Sequence, residues 1–276
     1  MNTETELGAG YPARVVVPGP DTPPVGRELD GQVAVLTMQY APHNFLGLAL
    51  IDGLLDGLGW AKAQGARSVL LRSGLRNFCA GADVALFESA ERGVAPDVDL
   101  VAVLRAFDTL PIPIVAAIHG VTVGGGLELA LASDLVIAGE SAKIGCVEAT
   151  IGLNPLMGGI QRITERAGAA RAKEMVLLGR RYDPRTLERW NVINRVVPDE
   201  KLGDASMTLA RELANGPTLA HASTKAIVSY TLAHGVPAAD EAMRELQQEY
   251  WRSDDLKRGL ESLEINGPGA ARFVGR

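Results

Sequence analysis

The sequence holds few of the residues that disulfide scaffolds and nucleic-acid binders require. It has two cysteines in 276 residues, which excludes a disulfide framework and is typical of a reduced cytoplasmic interior. Lys and Arg number 27 against 33 Asp and Glu, and this acidic balance disfavours nonspecific contact with nucleic acid. The N-terminus shows no basic start followed by an apolar core, so we expect no secretory signal. These shortages favour a cytoplasmic protein that binds no nucleic acid.

The chain also has little of what a membrane span or a metal site needs. Its most apolar stretch, residues 111–139, contains His119, Glu128 and Asp134 together with several glycines. A bilayer span of about 20 residues would not tolerate these polar groups, so we interpret the stretch as the buried centre of a globular fold. The four histidines show no metal-ligand spacing, and two distant cysteines make a poor zinc site. We expect neither a membrane contact nor a metal.

What the chain does contain is an α/β pattern followed by a helical one. Short apolar or β-rich runs predict strands at residues 32–37, 68–71, 112–118, 135–138 and 191–197. Strands without polar alternation are typical of a parallel sheet covered by helices on both faces. Helical spacing predicts helices at residues 46–64, 201–213, 217–234, 237–252 and 254–264. We therefore expect a flexible tail over residues 1–26, an α/β core over 27–198 and a helical region over 199–276.

Glycine is abundant, with 31 residues, and one glycine run follows a predicted strand and opens a helix at residues 124–126. It is not a dinucleotide fingerprint, because Leu129 stands where the third glycine of that motif is needed. No glycine run precedes Lys-Ser or Lys-Thr, so the phosphate loop of NTPases is absent too. A helix that starts at bare glycines still offers unpaired N–H groups, which can hold an oxyanion. The Glu128 carboxylate either only stabilises the positive end of this helix or takes part in catalysis.

Another glycine turn, the first in chain order, lies at residues 79–83 and also precedes a predicted helix. Its Asp83 fits the role of a helix N-cap, since a carboxylate accepts hydrogen bonds from exposed amides. Two such turns together could supply two N–H donors to one carbonyl oxygen.

Several motifs together resemble the crotonase (enoyl-CoA hydratase/isomerase) superfamily. The resemblance covers about residues 30–264 and rests on ordered motifs at family spacing, which are the following: Phe78-Cys79-Ala80-Gly81-Ala82-Asp83, His119-Gly120, Gly124-Gly125-Gly126-Leu127-Glu128, Ser133-Asp134, Glu148, Gly158-Gly159, Gln161-Arg162 and Asp254-Asp255. It implies the crotonase (ClpP-like) fold, an α/β fold of repeated ββα units, with a C-terminal helical region that forms trimers or hexamers. It also implies an acyl-CoA thioester as the substrate, with coenzyme A as part of that substrate and no separate cofactor.

The resemblance assigns roles to individual positions. The backbone N–H groups of Ala82 and Gly125 match the family's oxyanion hole, and Glu128 and Glu148 match the two glutamates that hold one water in the family's hydratases. The presence of both glutamates favours hydration of a trans-2-enoyl-CoA, with Glu128 as the base and Glu148 as the acid. Further positions expected at the substrate are Ala80, Asp83, Gly124, Leu156 and Arg76.

Three departures from the family pattern affect the expected site. Ala41 replaces an arginine in the loop after the first strand, and Asn266 with Gly267 replaces a Lys-Arg pair near the C-terminus, so contacts to the CoA phosphates are weakened. Arg76 and Arg72 could compensate, or they could be solvated surface residues. Leu156 and Met157 add bulk where the hydratases carry a glycine after the proline.

These departures keep two alternatives to the hydratase open. One is an enoyl-CoA isomerase or another enzyme that forms a thioester enolate, which the added bulk of Leu156 and Met157 would suit. The other is a non-catalytic protein that binds acyl-CoA.

Overall fold

The computed structural model describes residues 19, 22–87 and 99–276. Most of the tail expected over residues 1–26 lies outside the described residues. The first strand begins at Val25, so the ordered sheet starts just before the expected boundary of the core.

Within the described residues, eight strands form a large sheet and a small one. In chain order the strands are β1 (Val25–Asp30), β2 (Val33–Met38), β3 (Ser68–Ser73), β4 (Ile114–Ile118), β5 (Val121–Val123), β6 (Leu135–Gly139), β7 (Lys143–Gly145) and β8 (Arg195–Val197). The large sheet has the order β1-β2-β3-β4-β6-β8, and β5 pairs with β7. Only β1 runs antiparallel to its neighbour in the large sheet, joined to β2 by a tight turn at Gly31.

Helices cover both faces of the large sheet, as its unbroken apolar strands predict. The helices are α1 (Leu48–Ala63), α2 (Ala102–Thr109), α3 (Gly125–Leu131), α4 (Gly159–Leu178), α5 (Pro184–Arg189), α6 (Leu202–Ala214), α7 (Thr218–His234), α8 (Val236–Leu246) and α9 (Asp254–Asn266). Alternate side chains of β2 face opposite ways: Val33 and Val35 share a core with α6, whereas Ala34 and Leu36 share the main core with α1. The sheet is thereby buried on both sides, and β4 has no exposed residue.

The helical region after Pro198 is confirmed, with two corrections to the predicted bounds. The helix expected over residues 237–252 ends at Leu246, and a separate 3-10 turn follows at Tyr250–Arg252. Ser253 adopts an extended backbone and its side chain caps α9 through the Leu256 amide, so the chain has to leave the helical path before it. The strand expected over residues 191–197 forms only at Arg195–Val197, because Asn191 has a positive φ of 62° that ends the preceding turn.

Candidate active site

The first glycine turn is a short extended segment, residues 78–83, held on both sides. On one side Cys79 exchanges backbone hydrogen bonds with β5. On the other side Leu46 donates to the Gly81 carbonyl and accepts from the Asp83 amide. Because neighbouring peptide groups in an extended chain point opposite ways, the amide of Ala82 faces away from Leu46. Within the described residues no backbone or side-chain acceptor takes that N–H.

A buried polar network fixes this segment, and the sequence analysis missed it. Asn44 is fully buried and donates to the Ser73 hydroxyl and the Phe78 carbonyl, both at 2.9 Å. Its side-chain oxygen accepts from the Tyr40 amide at 2.7 Å. Asn77 adds a contact to His43 at 3.1 Å. These hydrogen bonds join the loop before α1 to the first glycine turn. A lone asparagine in a loop gives no such signal in a sequence.

The second glycine turn brings the start of α3 against the first. Gly124 has a φ of +55°, which favours glycine, and its amide is bonded to the Gly145 carbonyl at 3.0 Å. A Cβ atom on Gly126 would lie 2.3 Å from the Cys79 carbonyl oxygen, so only glycine permits this approach. A Cβ on Gly125 would lie 3.9 Å from the Ala82 nitrogen. As the first residue of α3, Gly125 also has an amide without an acceptor among the described residues.

Glu128 lies in the first turn of α3 and is 2% exposed. Its Oε1 accepts hydrogen bonds from the Met157 amide at 2.7 Å and from the Gly159 amide at 2.8 Å. Gly159 is the first residue of α4, whose helical path is broken at Gly168 (φ 81°, ψ 163°), so the positive end of its first segment faces the carboxyl group. The pKa of Glu128 is nevertheless raised to about 7, mainly by burial. The two amides lower this pKa, and the charge of Glu148 raises it.

Glu148 begins the 3-10 turn Glu148–Ile151 and is half-buried. Both of its carboxylate oxygens are buried and have no hydrogen-bond partner in the described part of the chain. Its Oε1 lies 3.3 Å from the position of a Cβ on Gly124, which places the carboxyl group beside the second glycine turn. Burial raises the pKa of Glu148. The two carboxyl groups thus share one partly dry region, and both favour the protonated form more than they would in water.

Both glutamates and both glycine turns border a single cavity of about 180 Å³. Ala80, Gly124 and Leu156, all expected at the substrate, line it. Its other lining residues are mostly apolar: Leu46, Val84, Leu86, Phe87, Leu100, Val147, Ile151, Leu153 and Met157. Such a lining suits an apolar group whose polar end meets the amides and carboxylates.

Two residues expected at the substrate lie outside the cavity lining. Asp83 accepts a hydrogen bond from the Ala85 amide at 3.0 Å, which fits its reading as a cap of the short helical turn Val84–Phe87. Arg76 is exposed to solvent. The Arg72 side chain donates a hydrogen bond to the Thr37 hydroxyl at 3.0 Å and lies 3.9 Å from the Glu28 carboxylate. Its contacts are therefore with neighbouring strands of the sheet.

Other chemistries find little support in the described ranges 22–87 and 99–276. They contain no group of three or more His, Cys, Asp or Glu side chains placed to hold a metal ion. No helix among them is long and apolar enough to cross a bilayer. Cys146 is buried outside the cavity lining, and burial raises the pKa of its thiol, so it lacks the character of a nucleophile.

Comparison with known proteins decides the family. The model of the enoyl-CoA hydratase/isomerase family matches residues 28–268. The chain belongs to this family. Its fold is the crotonase fold, as the resemblance implied: a solved structure described as an enoyl-CoA hydratase from Bacillus anthracis superposes with a TM-score of 0.84 and 26% identity, covering 92% of this chain and 100% of the other.

Curated relatives of this crotonase-family enzyme carry different reaction names. A carnitinyl-CoA dehydratase from Proteus mirabilis is 36% identical over 201 residues, which are 70% of this chain and 76% of the relative. A 1,2-epoxyphenylacetyl-CoA isomerase from Escherichia coli is 33% identical over 203 residues, covering 71% and 78%. The protein is therefore an enzyme of hydratase/isomerase type, and crotonase-family enzymes act on acyl-CoA thioesters.

Proposed function

We propose that the protein is an enoyl-CoA hydratase that adds water to a trans-2-enoyl-CoA and forms a 3-hydroxyacyl-CoA, as in fatty-acid β-oxidation. The observation that carries the proposal is the cavity in which two bare amides and two buried carboxyl groups meet. One relative is named a dehydratase, and loss of water is the reverse of this addition. We propose no cofactor, because the carboxyl groups and amides of the chain suffice for the reaction.

The amides of Ala82 and Gly125 bind the thioester carbonyl oxygen. Negative charge develops on this oxygen when a nucleophile adds to the β-carbon. Each fixed donor lowers such a barrier by about 2.7–4 kcal/mol in mutational precedents. The donors keep their geometry during the reaction because hydrogen bonds on both sides hold their segments in place.

The two glutamates divide the proton transfers. With a pKa of about 7, Glu128 is substantially ionised near neutral pH and accepts a proton from water as the hydroxyl oxygen bonds to the β-carbon. Glu148 enters the step protonated, which its burial and its unpartnered oxygens favour, and delivers its proton to the α-carbon. One water is consumed, and proton transfer between the carboxyl groups restores the starting state. The pair titrates as a unit because the charges interact.

The test is turnover of enoyl-CoA thioesters of several chain lengths, followed by loss of the absorbance of the conjugated thioester. We expect turnover in the wild type and a loss of at least about 100-fold in kcat in Glu148→Gln, which keeps the shape but cannot donate an acidic proton. Glu212→Gln, an exposed carboxylate on α6, is the matched control and should retain full activity. Absence of turnover with every chain length would contradict the proposal.

A second candidate is an enoyl-CoA isomerase, which the side chains of Leu156 and Met157 at the cavity favour because they reduce the space for a water. An isomerase moves a double bond from the 3- to the 2-position and incorporates no water. A 3-enoyl-CoA converted to a stable 2-enoyl-CoA, without a hydroxylated product, would assign this reaction instead.

We further propose that the protein acts as a homotrimer or homohexamer in the cytoplasm. Supporting this are large apolar side chains that the single chain leaves exposed on α7 and α9, namely Val228, Leu232, Leu260, Leu263 and Ile265. Light scattering coupled to size-exclusion chromatography should give a mass of three or six times 29.1 kDa. A monomer would contradict the assembly.

A further inference from the structure

The cavity wall nearest the paired amides is formed by two buried apolar side chains. Around the position of a Cβ on Gly125, Leu46 Cδ2 lies at 3.1 Å, Met157 Sδ at 3.7 Å and the Ala82 nitrogen at 3.9 Å. Leu46 is 1% exposed and Met157 is 3% exposed. A bound thioester has its carbonyl carbon within a few ångströms of the two amides, so this wall faces the first carbons of the acyl group and not its far end.

Met157 is fixed from the opposite side as well. Its own amide donates to Glu128 Oε1 at 2.7 Å, so its Cα is one bond from a nitrogen that contacts the proposed base. The side chain therefore runs from the carboxyl group that activates water toward the amides that bind the carbonyl oxygen. The α-carbon of the substrate lies between these two groups in any pose that allows the reaction.

We infer that Met157 makes the site selective for acyl groups with an unbranched α-carbon and excludes thioesters with a 2-methyl branch. The Met157 side chain borders the cavity beside the paired amides, where the α-carbon of a bound thioester lies. A methyl branch on the α-carbon would need the space that the Met157 thioether fills. Buried side chains at native packing density give way to an added methyl group only at a cost.

The neighbouring Leu156 supplies a matched control. It lines the same cavity but is 39% exposed, so it borders the open side and not the paired amides. Truncating Leu156 should leave the discrimination at the α-carbon unchanged. Truncating Met157 should weaken the discrimination against a branched α-carbon. The Met157 amide belongs to the backbone, so every substitution except proline keeps its hydrogen bond to Glu128.

The experiment measures kcat/KM for trans-2-butenoyl-CoA and for trans-2-methyl-2-butenoyl-CoA in the wild type, Met157→Ala and Leu156→Ala. The two substrates differ in intrinsic reactivity, but this difference cancels when the ratio is compared between variants. We expect the preference for the unbranched substrate to fall at least tenfold in Met157→Ala and to stay within about twofold of the wild type in Leu156→Ala. An unchanged preference in Met157→Ala would overturn the inference.

This inference rests on the proposed function, so binding is measured separately from turnover. Calorimetric affinities for the unreactive butanoyl-CoA and 2-methylbutanoyl-CoA should show the same shift in preference, even if no variant hydrates an enoyl thioester. If no enoyl thioester is turned over but the preference in binding still shifts in Met157→Ala, hydration is contradicted and the role of Met157 is supported. If enoyl thioesters are turned over but the preference in binding does not shift, hydration is supported and the role of Met157 is contradicted. If Met157→Ala does not fold, Met157→Val removes the thioether end of the side chain, and a smaller shift in the same direction is expected of it.

Discussion

Glu128→Gln should make the protein increasingly more stable than the wild type as pH rises. The structure buries this carboxyl group to 2% exposure and raises its pKa from an ordinary 4.5 to about 7. A raised pKa means that protonation favours the folded state. The stability contribution of Glu128 is therefore complete at low pH and is lost as pH rises through the folded value. A glutamine has no such titration, and its side-chain oxygen still accepts from the amides of Met157 and Gly159.

The size of the effect follows from the shift. A change from 4.5 to about 7 corresponds to about 3 kcal/mol at pH 8, where Glu128 is ionised in both states. At pH 5 the carboxyl group is mostly protonated in the folded state, so the raised pKa destabilises the protein by less than about 1 kcal/mol. The stability difference between Glu128→Gln and the wild type should therefore grow by about 2–3 kcal/mol between these two pH values.

Urea denaturation at fixed protein concentration, repeated from pH 5 to pH 8, measures this difference. Glu212→Gln on the exposed face of α6 is the control and should run parallel to the wild type. Any constant effect of the glutamine amide cancels, because only the slope with pH is compared. A difference between Glu128→Gln and the wild type that does not change with pH would refute the reasoning.

Three further predictions concern activity and packing. First, the pH profile of kcat/KM for hydration should be bell-shaped, with a rise as the base Glu128 ionises and a fall at higher pH as the acid Glu148 loses its proton; a profile without the rise would contradict the role of Glu128. Second, Gly126→Ala should abolish stable folding or activity, because its Cβ would lie 2.3 Å from the Cys79 carbonyl oxygen. Its control is Gly59→Ala on α1, whose Cβ would have no atom within 4 Å. This control should raise the free energy of unfolding by up to about 1 kcal/mol, as measured by thermal or urea denaturation. Third, Asn44→Ala should lower the free energy of unfolding by about 2–3 kcal/mol, because it leaves buried hydrogen-bonding groups of Tyr40, Ser73 and Phe78 without their partner. An unchanged urea midpoint would show that the network does not hold the first glycine turn.

Local signals in the sequence account for the parts of the fold that were predicted. The spacing of Leu50, Leu54, Leu58 and Ala61 predicts a helix, and these four side chains are buried on one face of α1. The apolar run at β4 predicts a strand covered on both sides, and the structure has one. Bounds were less predictable, since nothing in the residue spacing shows that α8 ends at Leu246, well before Ser253 caps the start of α9.

The sequence predicted the parts of the site that the glycine turns form. It did not predict the parts that depend on contacts between distant segments. The two glycine turns indicated paired amides, and the structure brings Gly125 next to Ala82. Nothing local indicates that Glu128 accepts from amides of residues 157 and 159, or that Asn44 links three segments. Those contacts depend on how distant segments pack. Arg76 is exposed to solvent outside the cavity lining, so its contact to substrate stays a prediction.

Reaction of a trans-2-enoyl-CoA in water labelled with oxygen-18 tests the central claim most directly. Water addition between Glu128 and Glu148 predicts a 3-hydroxyacyl-CoA whose hydroxyl group carries the label, as read by mass spectrometry. Labelled product should form at least about 100-fold more slowly with Glu148→Gln. An isomerised thioester without label, or no conversion by the wild type, would contradict hydration.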